Sequence, residues 1–184
     1  AIGPIAQLLG FHRGDRMVRL SSVTGMAAGR DSLLGHANHT LITTERGVTI
    51  LLQFDGTTPR PYSRIQGING TKAFAQKYPL PLFQDADGLR EGEAAENFLH
   101  SVADSPAYRL WREGVERGVP NAMNYAMDCR LIHCLRRGLP LDIDVYDAAE
   151  WSCLAELTRL SAQRGGTPVE IPDFLNGEMP PAQR

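Results

Sequence analysis

The chain has 184 residues, a mass of 20.2 kDa, a net charge of −2 and three cysteines. At ~150 residues per domain that length excludes a complete two-domain dehydrogenase, yet it suffices to bury a core without disulfide staples. The near-neutral balance supplies no polyanion-binding field, so nucleic acid is not expected as a partner, and no apolar run approaches the ~18 residues of a membrane span.

In chain order, Pro4 in a first helical turn and Gly10 just past the last predict a two-turn helix over 4–10. Residues 17–23 alternate loosely as a strand, and a glycine-rich loop follows up to Gly35. Residues 40–44 and 48–54 are β-branched and apolar and flank Glu45-Arg46-Gly47. They predict a hairpin with Val48, Ile50, Leu52 and Phe54 on one face. Residues 62–68 and 71–75 read as two more strands joined by Asn69-Gly70. Helices dominate the second half: turns over 89–102, a helix opened by Ser105-Pro106, and one capped by Asn121 and closed by Gly138. A last helix opens on Asp144 and Asp147 and carries Trp151, Leu154, Leu157 and Leu160 up to Gly165-Gly166. The connections between strands are too short for parallel crossovers. The expected fold class is therefore α+β: a mainly antiparallel open sheet covered by helices, one domain over 1–184, with no Rossmann domain in this chain. The abrupt helical start suggests a piece of a larger unit.

Few segments carry chemistry. No Gly-x-Gly-x-x-Gly turn or phosphate loop occurs, so no cofactor is expected to bind this domain alone. His12-Arg13-Gly14-Asp15-Arg16 fits a solvated turn, or two arginines fixing a phosphate or carboxylate. The acids at 142–147 recur at short spacing; they suit helix capping, a substrate contact from one carboxylate, or a metal, but lack a complete calcium loop. Thr57-Thr58-Pro59-Arg60-Pro61-Tyr62-Ser63-Arg64 stiffens a loop that presents two guanidinium groups and a phenol. Arg60 and Arg64 could bind carboxylate, phosphate or sugar hydroxyls, and Tyr62 could donate a hydrogen bond or stack on a ring; the alternative is a structural loop with paired arginines. His36 and His39 read as surface residues and His133 as a helix-side polar contact, while Cys129, Cys134 and Cys153 read as thiols without metal-ligand spacing.

Several stretches together resemble the C-terminal domain of the Gfo/Idh/MocA oxidoreductase superfamily, in the branch that includes the NAD-dependent family 109 glycosidases. They are Gly3-Pro4-Ile5-Ala6-Gln7, Arg13-Gly14-Asp15-Arg16, residues 38–43, the loop at 57–64, Asn69-Gly70-Thr71-Lys72, residues 127–135, residues 138–152, and the closing 168–174. The resemblance implies an open sheet that makes subunit contacts, hence a homo-oligomer through the sheet face, and a Rossmann-domain partner that holds NAD in the intact parent. It also implies a sugar ligand and a reaction in which hydride leaves the sugar and later returns, with elimination of the glycosidic bond between the two steps.

The family's imidazoles are the departures. The position before its Gly-Leu-Gly-Pro stretch lies ahead of Ala1; Phe54 precedes Asp55 where the pattern has His; and Pro120 and Asn124 stand for the His and Asp of its Gly-His-Gly-Gly-Met-Asp stretch. Tyr62 is left as the catalytic candidate, with Asn38, Arg60, Arg64 and Asp144 as substrate-binding candidates. The expected function is a substrate-binding and oligomerisation domain that is not catalytic alone; the alternative is a carbohydrate-binding or protein-interaction domain with a degenerate site.

Overall fold

Pro4 and Gly10 bracket the first helix: Gly10 takes a left-handed φ of 67° and its N–H bonds back to the last turn. A computed structural model describes residues 2–25, 37–56, 58–59 and 61–177. The elements are α1 (Gly3–Leu9), β1 (Met17–Gly25), β2 (Ala37–Thr44), β3 (Thr49–Asp55), β4 (Gly67–Asn69), β5 (Phe74–Gln76), β6 (Leu82–Asp85) and β7 (Gly88–Glu91). There follow α2 (Gly92–Val102), α3 (Pro106–Glu116), α4 (Ala122–Arg137), α5 (Val145–Gln163) and β8 (Val169–Glu170). They gather into two compact units, one made of Ala1–Arg60 with Ile143–Arg184 and the other of Pro61–Asp142. No helix among the described residues is long and apolar enough to cross a membrane.

The first unit carries an antiparallel sheet in the order β3-β2-β1-β8. Its hairpin turns at Glu45-Arg46-Gly47, where Gly47 supplies a φ of 81° and its N–H bonds to Thr44 O. Ile42, Ile50, Leu20 and Met17 form the core with Phe11 and Leu154 of α5, and Leu52 packs at its margin. Val48 and Phe54 stay exposed, so the predicted apolar face meets the core only in its middle. On the opposite face Leu41 stands against Leu51, and both are exposed along with Val23.

α5 covers the other face of β1 and β2 with an unexpected surface. Its buried positions are Asp147, Glu150, Leu154, Thr158 and Ser161, of which one is apolar. The sheet answers in kind. Ser22 N–H donates to Ser161 Oγ at 2.8 Å, Asn38 Nδ2 donates to Ser22 Oγ at 2.8 Å and to Thr24 Oγ1 at 3.1 Å, and Thr40 Oγ1 lies 2.9 Å from both Ser22 Oγ and Asn38 Oδ1. Ser161 Oγ in turn donates to Thr167 O at 2.8 Å, tying the end of α5 to the turn before β8.

The second unit holds a smaller antiparallel sheet, β4-β5-β6-β7. Here the expectation of a two-residue turn at Asn69-Gly70 is corrected. Gly70 N–H bonds to Ala73 O and Asn69 pairs with Phe74, so the connection is longer and residues 61–66 precede the strand. This register lines up Ile68, Ala75 and Phe83 across the sheet, and Phe83 meets Phe98 of α2 at 4.8 Å between ring centres. Packing on α2 selects the register over the local turn preference. The β6-β7 hairpin, missing from the expectations, turns at Ala86-Asp87 with Gly88 at φ 120° and Asp87 N–H on Asp85 Oδ1. α3 and α4 pack closely because Gly114 has no side chain: a Cβ there would sit 3.2 Å from the Cα of Ala122. The caps of the three later helices match the sequence, with Ser105, Asn121 and Asp144 each accepting first-turn N–H groups.

Replacing Ser161 by Ala strips the acceptor from a buried backbone N–H and the donor from Thr167 O. Urea denaturation of Ser161→Ala is expected to show a loss of about 1–3 kcal/mol, the usual cost of orphaning such a group.

Candidate functional site

Pro61 enters a segment with no regular structure, and that segment carries the candidate phenol to the surface. Tyr62 is 75% exposed, and the guanidinium carbon of Arg64 lies 5.6 Å from its ring centre. A cation over the ring face draws on the ring quadrupole and holds both groups in one orientation. No acidic side chain among the described residues pairs with Arg64. Between them the Ser63 Oγ is buried, with no hydrogen-bond partner among the described residues. Arg60 and Thr57 lie outside the described residues.

The other two candidates belong to the first unit and have work inside the fold. Asn38 is 4% exposed, and its amide is engaged by Ser22, Thr24 and Thr40. Asp144 is the N-cap of α5: its Oδ1 accepts from Tyr146 N and Asp147 N at 2.8 and 3.0 Å, and Asp147 Oδ2 accepts from Asp144 N at 3.0 Å. That reciprocal arrangement is a capping box built on Asp. Asp142 goes to Arg130, whose Nε and Nη2 reach its two oxygens at 2.8 and 2.6 Å. The structure therefore brings Tyr62 and Arg64 together, and places Asn38 and Asp144 apart from each other in a β-strand network and a helix cap.

A second polar cluster, which the sequence left as a turn, joins the segment at 10–16 to α5. Gly10 O accepts from Arg13 N and Asp15 N, and His12 N bonds to Asp15 O, closing a tight turn in which His12 has φ 59°. A left-handed non-glycine residue costs roughly 1–2 kcal/mol and persists where the surroundings hold it. What holds His12 is Glu150: Nε2 and Oε2 are 2.9 Å apart, off the line of a good hydrogen bond, and both side chains are 2% exposed. Glu150 Oε1 also accepts Met17 N–H at 3.2 Å. Arg13 reaches Asp147 Oδ2 at 3.4 Å, and Asp15 accepts N–H groups from Arg16 and Arg46. Burial pushes the Glu150 carboxyl above the usual carboxylate range, with the charge of Asp147 adding to it and His12 and the Met17 N–H opposing. The signal that could have revealed this pair is spacing, since 147, 150, 154, 158 and 161 fall on one helical stripe around Leu154.

One turn along α5, Cys153 donates to Glu150 O at 3.1 Å, and burial with the nearby Glu150 charge pushes its thiol up to about 11. Because the thiolate is the nucleophile, Cys153 is expected to alkylate with iodoacetamide at pH 8 about a hundredfold or more slowly than an ordinary thiol. Peptide mass spectrometry over a time course measures this, and a rate equal to that of free cysteine would refute it.

Comparison with known proteins bears on the whole chain. A family model for the glycosyl hydrolase 109 C-terminal domain matches residues 1–180. An alpha-N-acetylgalactosaminidase of Bacteroides fragilis is 48% identical over 196 aligned residues, covering 96% of this chain and 46% of that protein. A glycosyl hydrolase family 109 protein of Bacteroides thetaiotaomicron is 39% identical over 206, covering 96% and 44%. The chain thus spans a little under half the length of these curated relatives. Among solved structures, an oxidoreductase domain protein from Kribbella flavida superposes with a TM-score of 0.61 at 17% identity, over 92% of this chain and 48% of that one. An inositol dehydrogenase homolog from Azotobacter vinelandii, complexed with NADH and myo-inositol, gives 0.53 at 18%, over 85% and 45%. At such identities the structural likeness concerns the fold.

Proposed function

The chain belongs to the glycosyl hydrolase 109 family as its C-terminal domain, and from that premise we propose that it is the substrate-binding and oligomerisation domain of an NAD-dependent glycosidase or oxidoreductase. The observation that carries this reading is the match over residues 1–180 by a chain that spans under half of its relatives. In this reading Tyr62 and Arg64 face the sugar: the phenol donates or passes a proton at a sugar oxygen, while the guanidinium orients it and binds hydroxyls. Arg60 is close to them in the sequence, Asn38 ties β1 to β2 within its own sheet, and Asp144 fixes the start of α5. The exposed apolar face of Val23, Leu41 and Leu51 supports subunit contact through the sheet.

The described residues do not fit NAD as a resident cofactor. Both sheets are antiparallel, and no glycine fingerprint follows a strand, so nothing here forms the strand-turn-helix cradle that a pyrophosphate needs. A nicotinamide bound by another domain would supply hydride acceptance and return at a sugar carbon.

One observation favours a second reading, a non-catalytic carbohydrate-binding or interaction domain. Phe54, half-exposed near the end of β3, stands where the glycosidase pattern has a histidine, and a phenyl ring exchanges no proton.

Calorimetry of the 184-residue chain with NAD is expected to show no one-site binding, and a clear response would overturn the placement of the cofactor elsewhere. The full-length parent is expected to hydrolyse aryl α-N-acetylgalactosaminides, with kcat/KM about a hundredfold lower in Tyr62→Phe, the scale of one proton-handling group. Sugar binding without hydrolysis would select the second reading; unchanged activity in the variant would remove Tyr62 from the proton steps.

A further inference from the structure

The stretch Asn69-Gly70-Thr71-Lys72 has no task in the loop of Tyr62 and Arg64, and the strands on either side give it a setting. In the second sheet Asn69 pairs with Phe74, and Phe74 pairs with Gln84. Residues directly opposed across antiparallel strands share a face with Cβ atoms about 4.5–5.5 Å apart, so these three form one row, a phenyl ring between two primary amides. The row lies on the open face. Ile68, Ala75 and Phe83, one position away on the same strands, take the other face, where Phe83 meets Phe98 of α2.

Asn69 and Gln84 are exposed and Phe74 is half-buried, and neither amide makes a hydrogen bond among the described residues. A cavity of about 630 Å³ is lined by all three, with Thr71, Lys72 and Asp85 adding polar groups to its walls. That volume falls within the roughly 300–1,000 Å³ of small-ligand sites. The turn from β4 to β5 needs glycine at 70, where a Cβ would sit 3.0 Å from Ala73 O, and its closure sets Thr71 and Lys72 beside the row.

The chemistry of the row selects its ligand. A carboxamide offers two N–H donors and a carbonyl acceptor, which match neighbouring hydroxyls of a sugar, while the ring between the two amides offers an apolar face to the sugar's C–H groups. A wholly apolar partner would bury both amides unpaired. Arg90 Nη1 already binds Asp85 Oδ1 at 3.0 Å, which leaves Lys72 as a single cation on these walls, far short of the field that gathers a polyanion.

We propose that Asn69, Phe74 and Gln84 form a saccharide-binding subsite, in which one pyranose ring stacks its C–H face on Phe74 while the two amides bind its hydroxyls and Lys72 donates to a substituent. The subsite deepens the reading of the chain as a sugar-binding domain, yet it uses side chains other than Tyr62 and needs no hydride chemistry. A site this open holds one sugar ring with a Kd on the order of millimolar.

NMR titration of the 184-residue chain with methyl α-galactopyranoside, and separately with N-acetylgalactosamine, tests the subsite. The side-chain NH2 groups of Asn69 and Gln84 and the ring protons of Phe74 report at the contact itself. Saturable shifts of all three with one Kd are expected for at least one of the sugars, with saturation transfer from the Phe74 ring to the sugar's C–H protons. Asn69→Ala and Gln84→Ala, both at exposed positions, are expected to weaken binding about fivefold each, the scale of one lost hydrogen bond. Phe74→Leu, which keeps apolar volume without the ring face, weakens it as well, and the two amide variants decide if that protein does not fold. Tyr62→Phe leaves this Kd unchanged. Shifts confined to residues 61–66 would support the Tyr62 loop as the sugar site and overturn this one. Absence of saturable shifts at 69, 74 and 84 with both sugars, or a Kd unmoved in Asn69→Ala and Gln84→Ala, would also overturn it.

Discussion

A helix that buries acids must find partners for them, and α5 sets this condition for the first unit. Each polar residue on its inner stripe forgoes the ~1.5–3 kcal/mol that a buried leucine would contribute. A satisfied hydrogen bond returns only about 1 kcal/mol, and an unsatisfied group costs more than that. The stripe is tolerable because its members are placed: Ser161 on Ser22 N, Thr158 on Ala155 O, Glu150 Oε1 on Met17 N with Oε2 against His12, and Asp147 on Asp144 N and Arg13. These contacts fix α5 along β1 at Met17 and Ser22 and bind the 10–16 turn beneath its first half.

The same condition shapes the sheet. Ser22, Thr40 and Asn38 meet under α5 as a polar network, while Val23, Leu41 and Leu51 fill the uncovered face. A slip of one residue in β1 or β2 would exchange the two sets, taking the acceptor from the Ser22 amide and burying side chains of the wrong volume. The inversion is specific: near its outer end the sheet is polar where helix covers it and apolar where nothing among the described residues does. An apolar open face gains little by itself and much by contact with another surface.

How far this was legible in the chain depends on the range of the interaction. Caps and turn glycines are local, so Ser105, Asn121, Gly138 and the Asp144-Asp147 box mark their helices without knowledge of the rest. The β4-β5 register depends on Phe83 meeting Phe98, and no property of Asn69-Gly70 contains that contact. His12 and Glu150 are far apart in the sequence; only the helical phase of Glu150 hinted at burial, and it pointed to no partner. Among the site candidates, the exposed position of Tyr62 beside Arg64 could be read from the proline-bounded loop. Asn38 and Asp144 entered by resemblance, and the fold shows tasks for them that a pattern of residues does not distinguish from substrate contact.

The stretch before α4 shows how a helix start can be kept while the side chains around it change. Resemblance puts an imidazole and a carboxylate at 120 and 124, where this chain has Pro120 and Asn124. Here Asn121 Oδ1 accepts from Met123 N and Asn124 N, so the segment is committed to starting a helix. A cap needs only its own oxygen and two backbone donors, and it is indifferent to the side chains at 120 and 124. The geometry of the helix start is thus independent of the acid and base groups that a glycosidase would mount on it. The helix constrains sequence by backbone hydrogen bonds, whereas catalysis constrains it by particular titrating atoms, and only the first constraint has to be met for α4 to fold. Tyr62, exposed in a segment without regular structure, is bound by neither a helix cap nor a strand ladder, so the first constraint leaves its identity open.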